Sequence, residues 1–134
     1  MPLIAIVEDE NSVRVALGRL LRAAGFGTDG YASGEEFLAA VVQHAPDCLL
    51  LDFHLPGMNG LTVQARLRQS GVKVPVVFVT ATAGPEAQVQ AMRGGAVTWL
   101  RKPVEAETLL DAIRLALAKR PVSLQGEQPP RAAP

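Results

Sequence analysis

The chain has 134 residues, enough for one domain with a substantial buried core. Thirteen basic residues balance thirteen acidic ones, so no net field favours nucleic acid or an anionic membrane surface. A single cysteine, no apolar stretch of membrane-spanning length and no signal-peptide pattern after Met1-Pro2-Leu3 predict a soluble cytoplasmic domain.

Leu3-Ile4-Ala5-Ile6-Val7 is an aliphatic run of the kind buried on both faces of a parallel sheet, and Glu8 and Asp9 follow it directly. Val13, Leu17, Leu20, Leu21 and Ala24 then recur at helical spacing, with Gly25 placed to end the helix. A weaker strand is predicted around Thr28 to Tyr31. Ser33-Gly34-Glu35-Glu36 has capping-box spacing and opens a helix through Phe37, Leu38, Val41 and Val42. His44 reads as a solvated cation near that helix's end, and Pro46 closes the unit. Cys48-Leu49-Leu50-Leu51 is a third buried strand, predicted to end at Asp52, with Cys48 as a small core residue. The loop Phe53-His54-Leu55-Pro56-Gly57-Met58-Asn59-Gly60 leads into a helix ending near Gly71. Val74 to Val79, interrupted by Pro75, is the fourth strand, and Thr80-Ala81-Thr82-Ala83-Gly84 follows. Pro85 suits the first turn of a helix that stops at Gly94-Gly95. Val97 to Leu100 is the fifth strand and Glu105 to Lys119 the last helix. From Pro121 the apolar period is lost, so the chain divides into a domain over 1–120 and a proline-rich linker or disordered tail over 121–134. Such a linker is compatible with a second domain left out of this sequence.

Five strand–helix pairs this close together predict an α/β fold: a doubly wound, five-stranded parallel sheet with helices on both faces. Ligands of such sheets bind beyond the carboxyl ends of the strands. Glu8, Asp9, Asp52, Thr80 and Lys102 all fall there. Three ionised carboxylates in one crevice repel unless a cation joins them, and a hard divalent ion bound through oxygen is the economical one. This combination points to metal-assisted phosphoryl chemistry.

Val7-Glu8-Asp9-Glu10, Leu51-Asp52 with Leu55-Pro56-Gly57-Met58-Asn59-Gly60, Val79-Thr80-Ala81 and Leu100-Arg101-Lys102-Pro103 resemble, in order, the four signatures of the two-component response-regulator receiver domain. The resemblance runs from about Leu3 to Lys119, and the phrasing around Leu55–Gln64 and Ala91–Val97 is most similar to receivers of the nitrogen-fixation and nodulation type. It implies the flavodoxin-like strand order 2-1-3-4-5. It also implies phosphorylation of Asp52 by a sensor histidine kinase or phosphotransfer protein, with magnesium (Mg2+) held by Glu8, Asp9, Asp52 and the backbone carbonyl of His54. Lys102 would stand beside the acceptor and the phosphate, before a proline bond that the family suggests is cis. Thr80 would bond a phosphate oxygen and act as a switch with Trp99. The family usually carries Tyr or Phe where Trp99 stands, and the larger indole predicts a restricted inward swing. His54 and Thr82 would tune the pocket. The face formed by the fourth helix, fifth strand and fifth helix, with Leu115 upon it, is the expected output and homodimer surface.

Each residue also has a plainer role. Asp52 alone would be a loop cap, Glu8 and Asp9 a solvated acidic turn, Lys102 a surface cation, Thr80 the end of a strand and Trp99 a packing aromatic. Together they favour a phosphorylated signalling receiver, not an enzyme acting on an outside substrate, probing neither nucleic acid nor membrane by itself. It would be the regulatory part of a transcription regulator or, alternatively, a stand-alone receiver acting as a phosphorelay or protein-binding module. A flavodoxin-like cofactor binder would need a phosphate-cradling loop where Glu8-Asp9-Glu10 stands. A haloacid-dehalogenase-type phosphatase would want an acid where His54 stands.

Overall fold

A computed structural model describes residues 1–81 and 83–120. Five strands and five helices alternate: β1 Leu3–Val7, α1 Asn11–Ala23, β2 Gly27–Tyr31, α2 Gly34–Val41, β3 Cys48–Leu51, α3 Gly60–Gln69, β4 Val76–Thr80, α4 Pro85–Arg93, β5 Thr98–Arg101 and α5 Ala106–Ala118. All strand pairs are parallel, in the order β2-β1-β3-β4-β5. The predicted doubly wound sheet and its strand order are both present. The tail over 121–134 and Thr82 lie outside the described residues.

Side chains alternate across the pleat, so each central strand feeds two cores. Ala5, Val7, Leu49, Leu51, Val76 and Phe78 pack with α2, α3 and α4 through Phe37, Val41, Val63, Leu67 and Ala91. Ile4, Ile6, Cys48, Leu50, Val77 and Val79 pack with α1 and α5 through Leu21, Leu109, Ile113 and Ala116. Burial on both faces is why these strands read as unbroken aliphatic runs.

Three boundaries differ from the sequence expectation. β3 stops at Leu51, leaving Asp52 just past the strand. β4 begins at Val76 and reaches Thr80, because Pro75 has no N–H to give the ladder although its carbonyl still accepts from the Leu49 N–H at 2.9 Å. β5 is shifted to Thr98–Arg101. The helix signals behave as expected at α1, where Gly25 takes φ +98° and the Phe26 N–H closes on the Leu21 carbonyl. At α2 the box is displaced by one residue. Ser33 accepts from the Glu36 N–H at 3.1 Å, but the Glu36 carboxylate returns to the Ala32 N–H, not to that of Ser33.

Among the described residues, side-chain hydrogen bonds fasten the C-terminal end of α4. The Gln64 side-chain amide on α3 donates to the Ala91 carbonyl at 2.8 Å, and Arg68 donates to that of Gly94 at 3.3 Å. A Cβ at Gly94 would lie 2.5 Å from the Arg68 guanidinium and 2.7 Å from Gln64 Oε1, so the glycine makes room for this clasp. At the other end, the N-cap Gly84 offers no side-chain hydrogen bond.

Cys48 is fully buried, as expected of a core residue, and burial, then the charge of Asp47, push its thiol up to about 12. A raised thiol pKa favours the folded state below the unfolded value, and that advantage is lost as pH climbs from about 8.5 towards the folded one. At pH 8 in native buffer, Cys48 is expected to react with a disulfide reagent at least about a hundredfold more slowly than in urea. Equal rates would mean that the β3 packing opens freely.

Candidate functional site

The ladder itself gathers the acids. Val7 pairs with Leu51, the Asp52 N–H donates to the Val7 carbonyl at 3.1 Å, and the Glu8 N–H donates to the Tyr31 carbonyl at 3.0 Å. Glu8, Asp9 and Asp52 thereby offer carboxylate oxygens that all lie within 4.8 Å of one another. Glu8 and Asp52 are buried and Asp9 is exposed. The surrounding backbone holds them: the Asp52 carboxylate accepts from the His54 N–H at 3.2 Å, and Glu8 Oε2 accepts from the Glu10 N–H at 3.0 Å.

Lys102 enters from the far side of the sheet. Its N–H donates to the Thr80 carbonyl at 2.9 Å, and its peptide bond to Pro103 is cis, as the resemblance implied. Its ammonium lies 2.5 Å from Glu8 Oε1 and 3.0 Å from Asp52 Oδ2. Burial alone would pull this ammonium's pKa down. The hydrogen bonds and charges of Glu8 and Asp52 outweigh that, holding it above the ordinary lysine value. Three carboxylates against one ammonium leave two uncompensated negative charges, and the donors are hard oxygens. That set fits a divalent cation such as magnesium.

Thr80, the last residue of β4, is fully buried, with its backbone fixed to Lys102. His54 is exposed, and its ring meets Phe53 edge-on at 4.8 Å. His44, expected as a solvated cation, is also exposed. Trp99, expected either as a switch aromatic or as a packing one, stands inward here: the indole is 8 % exposed, beside Phe78 at 5.2 Å and Phe53 at 6.3 Å. Its cluster includes the small side chains of Ala83, Ala87, Ala91 and Ala96, which leave volume for the larger ring. Among the described residues the buried indole Nε1 has no hydrogen-bond partner, a cost of about 1–3 kcal/mol. On the suggested output face, Val89, Met92 and Leu115 are exposed.

Two residues matter here that the sequence reading passed over. Arg14 donates to the Glu8 carbonyl at 2.7 Å and so braces the acidic turn from α1. A Cβ on Gly60 would lie 2.6 Å from the Asp52 carbonyl oxygen and 2.9 Å from the Phe78 ring, so only glycine lets α3 start this close to Asp52. The Asn59 cap immediately before it, accepting from the Thr62 N–H at 3.0 Å, was the available signal for that helix start.

Comparison with known proteins agrees with this geometry. The family model described as the response regulator receiver domain matches residues 4–114. The response regulator protein TodT of Pseudomonas putida is 38% identical over 118 residues, covering 88% of this chain and 52% of TodT. Nodulation protein W of Bradyrhizobium diazoefficiens is 36% identical over 111 residues, covering 83% of this chain and 49% of that protein. The chain thus spans about half the length of these relatives. The crystal structure of FixJ-N superposes with a TM-score of 0.83 at 29% identity, covering 89% of this chain and 95% of that one. No helix among the described residues is long and apolar enough to cross a membrane. By sequence, strand order and the placing of its acids and lysine, the chain belongs to the response-regulator receiver domain family of two-component signalling.

Proposed function

We propose that the chain accepts a phosphoryl group on Asp52 from a phosphohistidine of a sensor histidine kinase or phosphotransfer protein. The observation that carries this reading is the Lys102 ammonium seated between Glu8 and Asp52, inside a triad of carboxylates. An Asp52 carboxylate oxygen attacks phosphorus, the P–N bond breaks, and its electron pair leaves with the imidazole nitrogen. The product is a mixed anhydride. Phosphoryl transfer depends on positioning and charge neutralisation more than on nucleophile strength. Glu8, Asp9, Asp52 and the backbone carbonyl of His54 would hold magnesium, which when bound supplies positive charge to the phosphoryl oxygens. Lys102 supplies a second, mobile positive charge.

Thr80 ends the strand next to β3, and its hydroxyl would meet a phosphoryl oxygen, with the segment from Ala81 to Pro85 following it. Trp99 would report that movement, and α4, β5 and α5 would display it, through a homodimer or another protein. His54, exposed two residues past Asp52, would influence the lifetime of the phosphoryl group. The domain turns over no outside substrate. Its output, transcriptional control by a domain beyond this sequence, is inferred from relatives about twice as long.

Acetyl phosphate with magnesium is expected to add the mass of one phosphoryl group, and chelation of the metal to prevent it. No mass gain from acetyl phosphate or a phosphorylated kinase would end the reading. The only tryptophan gives a second readout. Its emission is expected to be blue-shifted at rest and to change with beryllofluoride and magnesium. An unaltered spectrum would remove Trp99 from the switch.

A further inference from the structure

The helices α3 and α4 end beside one cleft, at the edge of the sheet opposite the acids, and glycine closes both. Gly71 takes φ +75° and Gly95 φ +102°. Behind them the Val72 and Ala96 N–H groups close on the Leu67 and Ala91 carbonyls, each at 3.1 Å. A Cβ at Gly71 or Gly95 would meet nothing within 4 Å, so both border open space. The cleft they border has a volume of about 340 Å³. That is within the range of small-molecule sites, and about twice the ~150 Å³ of a cavity able to hold benzene.

Its wall is aliphatic on one side and cationic on the other. Leu67 and Val76 are buried along it, and Val72 and Val74 are half-buried. Arg68 and Lys73 line it too, both exposed, and among the described residues no carboxylate does. Neither cation forms an ion pair among the described residues. The sequence has no acid between residues 53 and 85, nor between 87 and 104. Two helix C-termini bring about one negative charge between them. The last-turn arginines Arg66, Arg68 and Arg93, with Lys73, bring more than that in positive charge.

We propose that this cleft binds a small amphipathic carboxylate, its aliphatic body against Leu67, Val72 and Val76 and its carboxylate on Arg68 and Lys73. A bare inorganic anion would leave the aliphatic wall wet, and a hydrocarbon would leave the two cations unanswered. Arg68 has five N–H donors, and among the described residues one of its nitrogens reaches the Gly94 carbonyl, at 3.3 Å. The guanidinium can therefore take a carboxylate without releasing α4, and the ligand would join α3 to the clasped end of that helix. Glu8, Asp9, Asp52 and Lys102 do not line the cleft, so the inference is independent of the phosphoacceptor reading.

Octanoate is the probe, titrated into the full chain and followed by nitrogen-15 HSQC spectra. Saturable shifts are expected at the Gly71, Val72, Lys73, Gly94 and Gly95 amides, with a dissociation constant of about 1 mM or below. Octylamine, with the same chain and the opposite charge, is expected to bind at least about tenfold more weakly. Lys73→Glu changes an exposed position and should weaken octanoate at least about fivefold. The spectrum itself reports whether the variant folds. Should it not, Lys73→Gln decides, with a loss of about threefold. No saturable shift at these amides up to about 10 mM octanoate overturns the proposal. So does an octanoate affinity that the folded Lys73 variant leaves unchanged. Equal binding of octylamine also overturns it, since the cleft would then be an apolar groove without choice of charge.

Discussion

Asp52→Asn is expected to abolish phosphoryl uptake, with no mass gain from acetyl phosphate and magnesium under conditions that load most of the wild-type protein. The amide has no anionic oxygen to attack phosphorus, and every other group in the site acts only on that attack. The fold should survive the change. The asparagine oxygen can still accept from the His54 N–H, and Lys102 keeps its closer partner, Glu8. Removing one of three crowded carboxylates also relieves repulsion, so the metal-free variant should melt within about 1 kcal/mol of wild type in stability. Uptake that persists in the variant at the wild-type rate would place the acceptor on another residue. A melting temperature far below wild type would mean that Asp52 serves the fold as well.

Gly60→Ala is expected to give the largest loss of stability among single-methyl additions at this site. The new Cβ would meet the Asp52 carbonyl oxygen at 2.6 Å, the Phe78 ring at 2.9 Å and the Phe53 Cα at 3.0 Å. Two of these are backbone atoms that cannot rotate away, and the Gly60 N–H is bonded to the Phe53 carbonyl at 2.9 Å. Either α3 lifts from the sheet or the loop after β3 moves. Overpacking of this kind costs about 3 kcal/mol, which is roughly 10 °C in melting temperature for a domain of this size. Gly71→Ala provides the contrast. That position has φ +75° and nothing within 4 Å of a new Cβ, so only backbone strain of about 1 kcal/mol is expected. Differential scanning calorimetry separates the two, and equal losses would mean that crowding at Asp52 is not what Gly60 avoids.

Much of the architecture was readable from residue order because each central strand is buried on both sides. A segment such as Cys48–Leu51 has no polar alternation to confuse it with anything but a parallel strand. The acids were readable for the same reason, since they are the first polar residues after those runs. What escaped was whatever depends on two distant segments meeting. The bond between Glu8 and Lys102 joins residues 94 apart, and neither neighbourhood announces the other. Gly60 was read only as the end of a loop and part of a family signature, although a Cβ there would lie 2.6 Å from the Asp52 carbonyl oxygen. The size of Trp99 was weighed without the alanines that share its cluster, which meet it only in the folded chain. Strand β4 was read two residues too early because Val74 and Pro75 continue the aliphatic run, while hydrogen bonding obeys the missing N–H.

The side-chain clasp at the C-terminal end of α4 has a mechanical consequence. Nine residues span about 13 Å, so a tilt of about 10° around the Gly94 end would carry Pro85 by about 2 Å while the clasp to Gln64 and Arg68 stays closed. The clasp thus sets a pivot away from the acids, while the first turn, which packs through Ala87 against the Trp99 cluster, lies next to the segment after Thr80. Travel imposed at the tip fades along its length, so the outward residues of its first turns sweep farther than Met92 or Arg93.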